Sequence, residues 1–194
     1  MQLKQLDLPG GGLLTVYLRD CVETMPLAME RPLVLVVPGG GYSHVSAREG
    51  DPVALQFAAA GYHTAVLRYA ICDEAKNCLP LRQLAAAMVD AVRPAALICV
   101  DSLCSAEAAL PDPPRPDAVI LGYPVITAGQ YAHRDSFVQL AGEDPAAQQA
   151  FSLEDKITPR TPPVFVWHTM EDETVPVENT LLLVSALHRA GVPC

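Results

Sequence analysis

Apolar and polar positions alternate from Leu3 to Leu8 and again from Leu13 to Leu18, on either side of Pro9-Gly10-Gly11-Gly12. Period-two alternation broken by a glycine turn predicts a β-hairpin. Its glycines have a turn to make and carry no chemistry. The next apolar run, Leu33-Val34-Leu35-Val36-Val37, is continuous and β-branched, and it stops at Pro38-Gly39-Gly40-Gly41-Tyr42. This is the pattern of a strand buried on both faces that delivers a backbone loop to the end of a sheet. Glycine permits positive φ and lets main-chain N–H groups approach a ligand with no Cβ in the way. Such a loop suits an anionic oxygen, that of a phosphate or that of a tetrahedral acyl intermediate.

Further along, Asp51-Pro52 offers an N-cap and a first-turn proline, Val53, Leu55, Phe57 and Ala58 an apolar side, and Gly61 a stop. Tyr62 to Tyr69 then reads as a second parallel strand, since strand, helix and strand within about 35 residues make a βαβ crossover. Pro80 to Arg93 predicts a helix with Leu81, Leu84, Ala85, Met88 and Val89 on one face. Ala95 to Val100, Asp117 to Tyr123 and Pro163 to His168 predict short strands. Glu178 to Ala190 predicts an amphipathic helix through Leu181, Leu182, Val184, Leu187 and His188, stopped by Gly191. The fold class is α/β, one domain over 1–194 with a mostly parallel central sheet, an N-terminal antiparallel hairpin and an atypical stretch at about 88–115. A helix of this kind usually feeds another strand, so the expected sheet is incomplete at its C-terminal strand, as in a truncated domain.

Composition narrows the partners. With 13 basic and 22 acidic residues the formal charge is −9, which argues against a nucleic-acid surface and for a small, weakly charged substrate. No apolar run approaches the ~18 residues that span a bilayer, and the N-terminus has no apolar signal region, so the expectation is a cytoplasmic protein without membrane contact. The six cysteines, Cys21, Cys72, Cys78, Cys99, Cys104 and Cys194, form no CxxC pair. They read as reduced thiols, with no metal and no cofactor expected.

The order of these parts carries a resemblance. Pro38-Gly39-Gly40-Gly41-Tyr42 after a strand, Val66-Leu67-Arg68-Tyr69, Ile120-Leu121-Gly122-Tyr123-Pro124-Val125-Ile126, then Val166-Trp167-His168-Thr169 and Asp172 before Val175-Pro176-Val177 resemble the α/β-hydrolases. The likeness is to their lipase/esterase branch of acetylesterase and xylan esterase-like proteins. It implies a three-layer sandwich and a serine carboxylesterase. It also implies that Gly40, Gly41 and Tyr42 supply the oxyanion hole and that Asp172, on the loop after the penultimate strand, is the triad acid. The nucleophile departs from the family pattern, because no Gly-x-Ser-x-Gly occurs. Ser105 in Val100-Asp101-Ser102-Leu103-Cys104-Ser105-Ala106-Glu107 aligns with the family's Ser-Ala, but Leu103 and Glu107 stand where the strained elbow wants glycine. The triad histidine belongs beyond Gly191-Val192-Pro193 and is not present in the chain. Of the five histidines, His44 lies just after the glycine loop, while His63, His133, His168 and His188 fall in a strand, a loop, a strand end and a helix. The loop from Tyr131 to Phe151 occupies the substrate-loop position of the family.

Three readings stay open. The first is a serine carboxylesterase for short, acetyl-like esters, with sugar esters within its range. The second is a catalytically inactive remnant of that fold serving as a binding or interaction domain. The chain as written is expected to show little activity, unless it is an incomplete portion of a longer protein. A phosphate or dinucleotide site is the weakest, since Gly39-Gly40-Gly41 is not G-x-G-x-x-G and no acidic residue ends the following strand. An uncovered edge strand invites self-pairing, so a homodimer is a further hypothesis.

Overall fold

The computed structural model describes residues 1–20, 31–90, 96–99 and 115–194, the stretch 96–99 through its backbone. Its frame is a seven-stranded sheet. The predicted hairpin forms β1 (Gln2–Leu8) and β2 (Gly12–Leu18), with Gly10 and Gly11 at φ +75° and +88° in the turn. The apolar run is β3 (Leu33–Val37), followed by β4 (His63–Arg68), β5 (Ala96–Cys99), β6 (Ala118–Gly122) and β7 (Val164–Trp167). Their spatial order is β1-β2-β4-β3-β5-β6-β7. The β1–β2 and β2–β4 pairs are antiparallel and every other pair is parallel. β3 sits inside the sheet between β4 and β5, which explains its unbroken hydrophobicity.

The helices cover both faces. On one side α1 (Asp51–Ala59) packs Ala54 against Val34, Val36 and Val66. On the other, α2 (Leu79–Asp90) and α5 (Glu178–Ala190) bring Leu84, Met88, Leu183 and Leu187 onto Leu35, Val37, Leu67 and Leu121. Alternate residues of β3 thus serve two cores, as period two requires. Two short helices, α3 (Arg134–Ala141) and α4 (Pro145–Gln149), lie in the segment between β6 and β7. After α5, Val192 is buried and the Pro193 carbonyl accepts from the Val164 N–H at 3.0 Å, beside β7. Among the described residues no helix is long and apolar enough to cross a membrane.

Three local expectations change. Asp51 is the first residue of α1 and not its N-cap: Gly50 caps the helix without a side-chain bond. The Asp51 carboxylate is drawn away, accepting from the Tyr17 hydroxyl at 2.6 Å and from Arg68 Nη2 at 3.2 Å. Burial, together with that carboxylate, pushes the Tyr17 hydroxyl up to about 12. The buried face of α5 is Asn179, Thr180, Leu183, Ala186 and Leu187, while Leu181 is exposed. Asn179 sets this rotation by bonding a neighbouring loop. Leu55 of α1 and Val89 of α2 also face solvent.

Candidate active site

The glycine loop leaves β3 at the end of the sheet and is held at nearly every peptide. The Pro38 carbonyl accepts from the Tyr69 hydroxyl at 2.7 Å, and the Gly39 N–H donates to Glu49 Oε2 at 2.9 Å. The Gly39 carbonyl accepts from Ser46 N at 2.8 Å. That of Gly40 accepts from Ser43 N at 3.1 Å and His44 N at 3.3 Å. Gly40, Gly41 and Tyr42 follow one another at φ +136°, +59° and +60°. Glycine is required at position 40, where a Cβ would lie 2.8 Å from the His44 carbonyl carbon and closer still to its oxygen. Tyr42 tolerates a left-handed backbone because it is buried, edge-on to Tyr69 at 5.9 Å, with its carbonyl bonded to Cys72 N at 2.7 Å.

This loop is one wall of a cavity of about 720 Å³. A second wall comes from the ends of β6 and β7. Tyr123 (φ +37°) donates its N–H to the Trp167 carbonyl at 2.9 Å, sets its ring edge-on to Trp167 at 5.2 Å, and donates its hydroxyl to Glu49 Oε1 at 3.2 Å. Asp172, on the loop after β7, lines the same cavity. Its Oδ1 accepts from Thr174 N and Val175 N, both at 2.9 Å, and its Oδ2 lies 3.5 Å from His168 Nε2.

His168 itself is a core residue, its side chain 1% exposed. The Val175 carbonyl, 2.9 Å from Nε2, can only accept, so Nε2 carries a proton, and Thr180 Oγ1 sits 2.7 Å from Nδ1. Both nitrogens are occupied. A third wall is α3 with the residue before it: His133, whose Nδ1 is 2.8 Å from Ser136 Oγ, together with Asp135, Val138 and Gln139. Gly41 lets the loop approach this wall, since a Cβ there would come 3.3 Å from Ser136 Oγ. The β6–α3 connection is fastened by buried Asn179. Its Oδ1 accepts from Ile126 N and Thr127 N at 2.9 and 3.0 Å, and its Nδ2 donates to the Tyr131 and Pro176 carbonyls at 2.8 and 3.0 Å.

Gly40, Gly41 and Asp172 therefore line one cavity, as does His44, whose Nδ1 is 3.1 Å from Ser43 Oγ. Tyr42 closes the loop from behind. His63 starts β4 and accepts the Arg19 N–H at 3.1 Å, and His188 is exposed on α5. Ser105 lies outside the described residues; β5 ends at Cys99, paired with Val37 of β3 and Leu121 of β6. The described residues contain no group of three His, Cys, Asp or Glu placed to hold a metal ion. Sequence reasoning missed Glu49, His133, Ser136 and Asn179. Asp144-Pro145, an N-cap and N1 pair whose carboxylate accepts from Ala146 N at 3.1 Å, was a usable signal for α4. Glu49 offered none, because its donors arrive from two distant segments.

No family model matches the chain. Over 195 residues it is 33% identical to endo-1,4-beta-xylanase B of Butyrivibrio fibrisolvens, an alignment that covers 85% of this chain. The chain spans 31% of that protein's length. Among solved structures, an acetyl ester-xyloside bifunctional hydrolase from Caldicellulosiruptor lactoaceticus superposes with a TM-score of 0.79 at 30% identity, covering 95% of this chain and 76% of that one. A carboxylesterase from Lactobacillus plantarum WCFS1 gives 0.80 at 27% identity, over 100% and 81% of the two chains. A sugar hydrolase from Lactococcus lactis gives 0.78 at 26% identity, over 99% and 80%. With this strand order, a glycine loop after β3 and that degree of identity to a solved hydrolase, the chain belongs to the α/β-hydrolase superfamily, in its lipase/esterase branch.

Proposed function

We propose that this chain carries the acyl-transfer cleft of a serine carboxylesterase acting on short, acetyl-like esters, with acetylated sugars as a substrate class. The observation that carries the reading is the run of three positive-φ residues, Gly40, Gly41 and Tyr42, of which Gly40 and Gly41 line the cavity that Asp172 also lines. In this reading a serine Oγ adds to the ester carbonyl carbon and the carbonyl oxygen becomes an oxyanion over the loop's amides. The intermediate then collapses, the C–O bond to the alcohol breaks, and water later releases the acid. Preorganised backbone donors act at the step where charge develops, each worth about 3 kcal/mol of barrier. By the family resemblance, the base that takes the serine proton and passes it to the leaving alcohol is a histidine beyond Gly191-Val192-Pro193, contributed by a longer protein, and Asp172 is the group that would hold its imidazole. Ser105 is the nucleophile, from the segment that follows β5. The sugar class is supported by the likeness to hydrolases whose names include xyloside and sugar activities.

One observation favours a second reading, a domain that binds esters without turning them over. The imidazole beside Asp172, His168, has both nitrogens engaged in the core. Labelling with a fluorophosphonate, read by intact mass, separates the two. Stoichiometric label that disappears in Ser105→Ala, with hydrolysis of p-nitrophenyl acetate, supports the esterase. A folded protein that takes no label supports the binding domain.

A further inference from the structure

We infer that Glu49 is a positioning residue that sets the glycine loop, which follows β3, against the end of β6; β3 and β6 are the two strands that flank β5. The inference rests on the esterase reading only in taking that loop as the oxyanion site. Glu49 lies just ahead of α1, its side chain 13% exposed, and lines the cavity. Its two oxygens serve two different walls: Oε2 takes the Gly39 N–H at 2.9 Å and Oε1 the Tyr123 hydroxyl at 3.2 Å. A mostly buried carboxylate needs donors on both oxygens, and here it finds one on each. The neighbouring Arg48 guanidinium, 3.7 Å away on a side chain 90% exposed, adds little.

The consequence is geometric. The Gly39 peptide is fixed at both ends, its N–H to Glu49 and its carbonyl to Ser46 N. Gly40 to Tyr42 follow directly and hold their unusual dihedrals from that anchor. The Tyr123 hydroxyl, bonded to the same carboxylate, ties the far wall at φ +37° to the same point. An apolar side chain could fill the space, but only a carboxylate accepts from both walls at once. A glutamine can still accept from the Gly39 N–H and donate its N–H to the Tyr123 hydroxyl oxygen, whereas a methionine of similar length offers neither wall a hydrogen bond.

Hydrogen exchange tests the assignment without needing turnover. In Glu49→Met, the amides of Gly39, Ser43, His44 and Ser46 are expected to exchange about ten- to a hundredfold faster, the range for losing one hydrogen bond to a charged group, and Glu49→Gln, which can keep both contacts, is expected to accelerate them less. The β1–β2 hairpin and α5 are expected to keep their rates. Tyr123→Phe keeps the Gly39 bond and is expected to accelerate the loop less. Unchanged loop exchange in Glu49→Met, or acceleration spread evenly over the chain, overturns the inference. Where p-nitrophenyl acetate is hydrolysed, kcat falls in Glu49→Met with KM nearly constant; a retained kcat overturns the inference and leaves the esterase reading standing. A wild-type chain without turnover or label sinks the esterase reading, while a localised exchange effect still upholds Glu49.

Discussion

Replacing Gly40 by alanine places a methyl group where the backbone already stands. The Cβ would come 2.8 Å from the His44 carbonyl carbon and nearer to its oxygen, against about 3.5 Å for an unstrained contact. No side-chain rotation relieves this, because the obstacle is main chain, so the turn must open. Opening it loses the bonds from Ser43 N and His44 N to the Gly40 carbonyl, each worth about 1 kcal/mol net. A non-glycine residue at φ +136° adds about 1–3 kcal/mol. The expected loss is about 3–5 kcal/mol, and a chain of this size melts about 2–4 °C lower per kcal/mol. Gly11→Ala is the control: Gly11 sits at φ +88° with no heavy atom within 4 Å of a built Cβ, so it bears strain of about 1–2 kcal/mol and no collision. Thermal unfolding followed by circular dichroism measures both. A Gly40→Ala melting point no lower than that of Gly11→Ala refutes the reasoning.

Asn179→Leu keeps the branched shape but strands the buried Ile126 and Thr127 N–H groups and leaves the Tyr131 carbonyl without this donor, and is expected to cost about 3–5 kcal/mol in urea unfolding. The His63 imidazole is held below 6.5, first by burial and then by the Arg31 guanidinium, and its Nδ1 accepts from Arg19 N. The native state thus binds this proton less readily than the unfolded chain, so the contribution is present above pH 6.5 and lost as pH falls through the depressed value. Stability measured from pH 7 to pH 5 is expected to decline, less steeply in His63→Gln.

The sheet could be read from the sequence because its signals are local. The run Leu33 to Val37 is buried on both faces, and the stop at Pro38-Gly39-Gly40-Gly41 is a backbone requirement that only glycine meets at position 40. The strand bounds shifted by a residue or so, and the closing helix kept its ends. Its buried face did not follow apolar spacing, because Asn179 is worth four hydrogen bonds inward while Leu181 is left outside. Asp51 looked like a cap until Tyr17 and Arg68, distant in sequence, competed for it. Glu49 was invisible for the same reason: its meaning lies in Gly39 and in Tyr123, 74 positions away.

Trp167 is the sole tryptophan of the chain, half-exposed in the cleft wall with the Tyr123 ring edge-on at 5.2 Å. That placement gives the protein a built-in optical reporter. Ultraviolet light absorbed by Tyr123 passes to the indole by resonance transfer, and the indole's emission senses the polarity and occupancy of the cavity it faces. A molecule entering the cleft changes the solvation of that one fluorophore, so occupancy can be followed without a label and without any chemical step taking place.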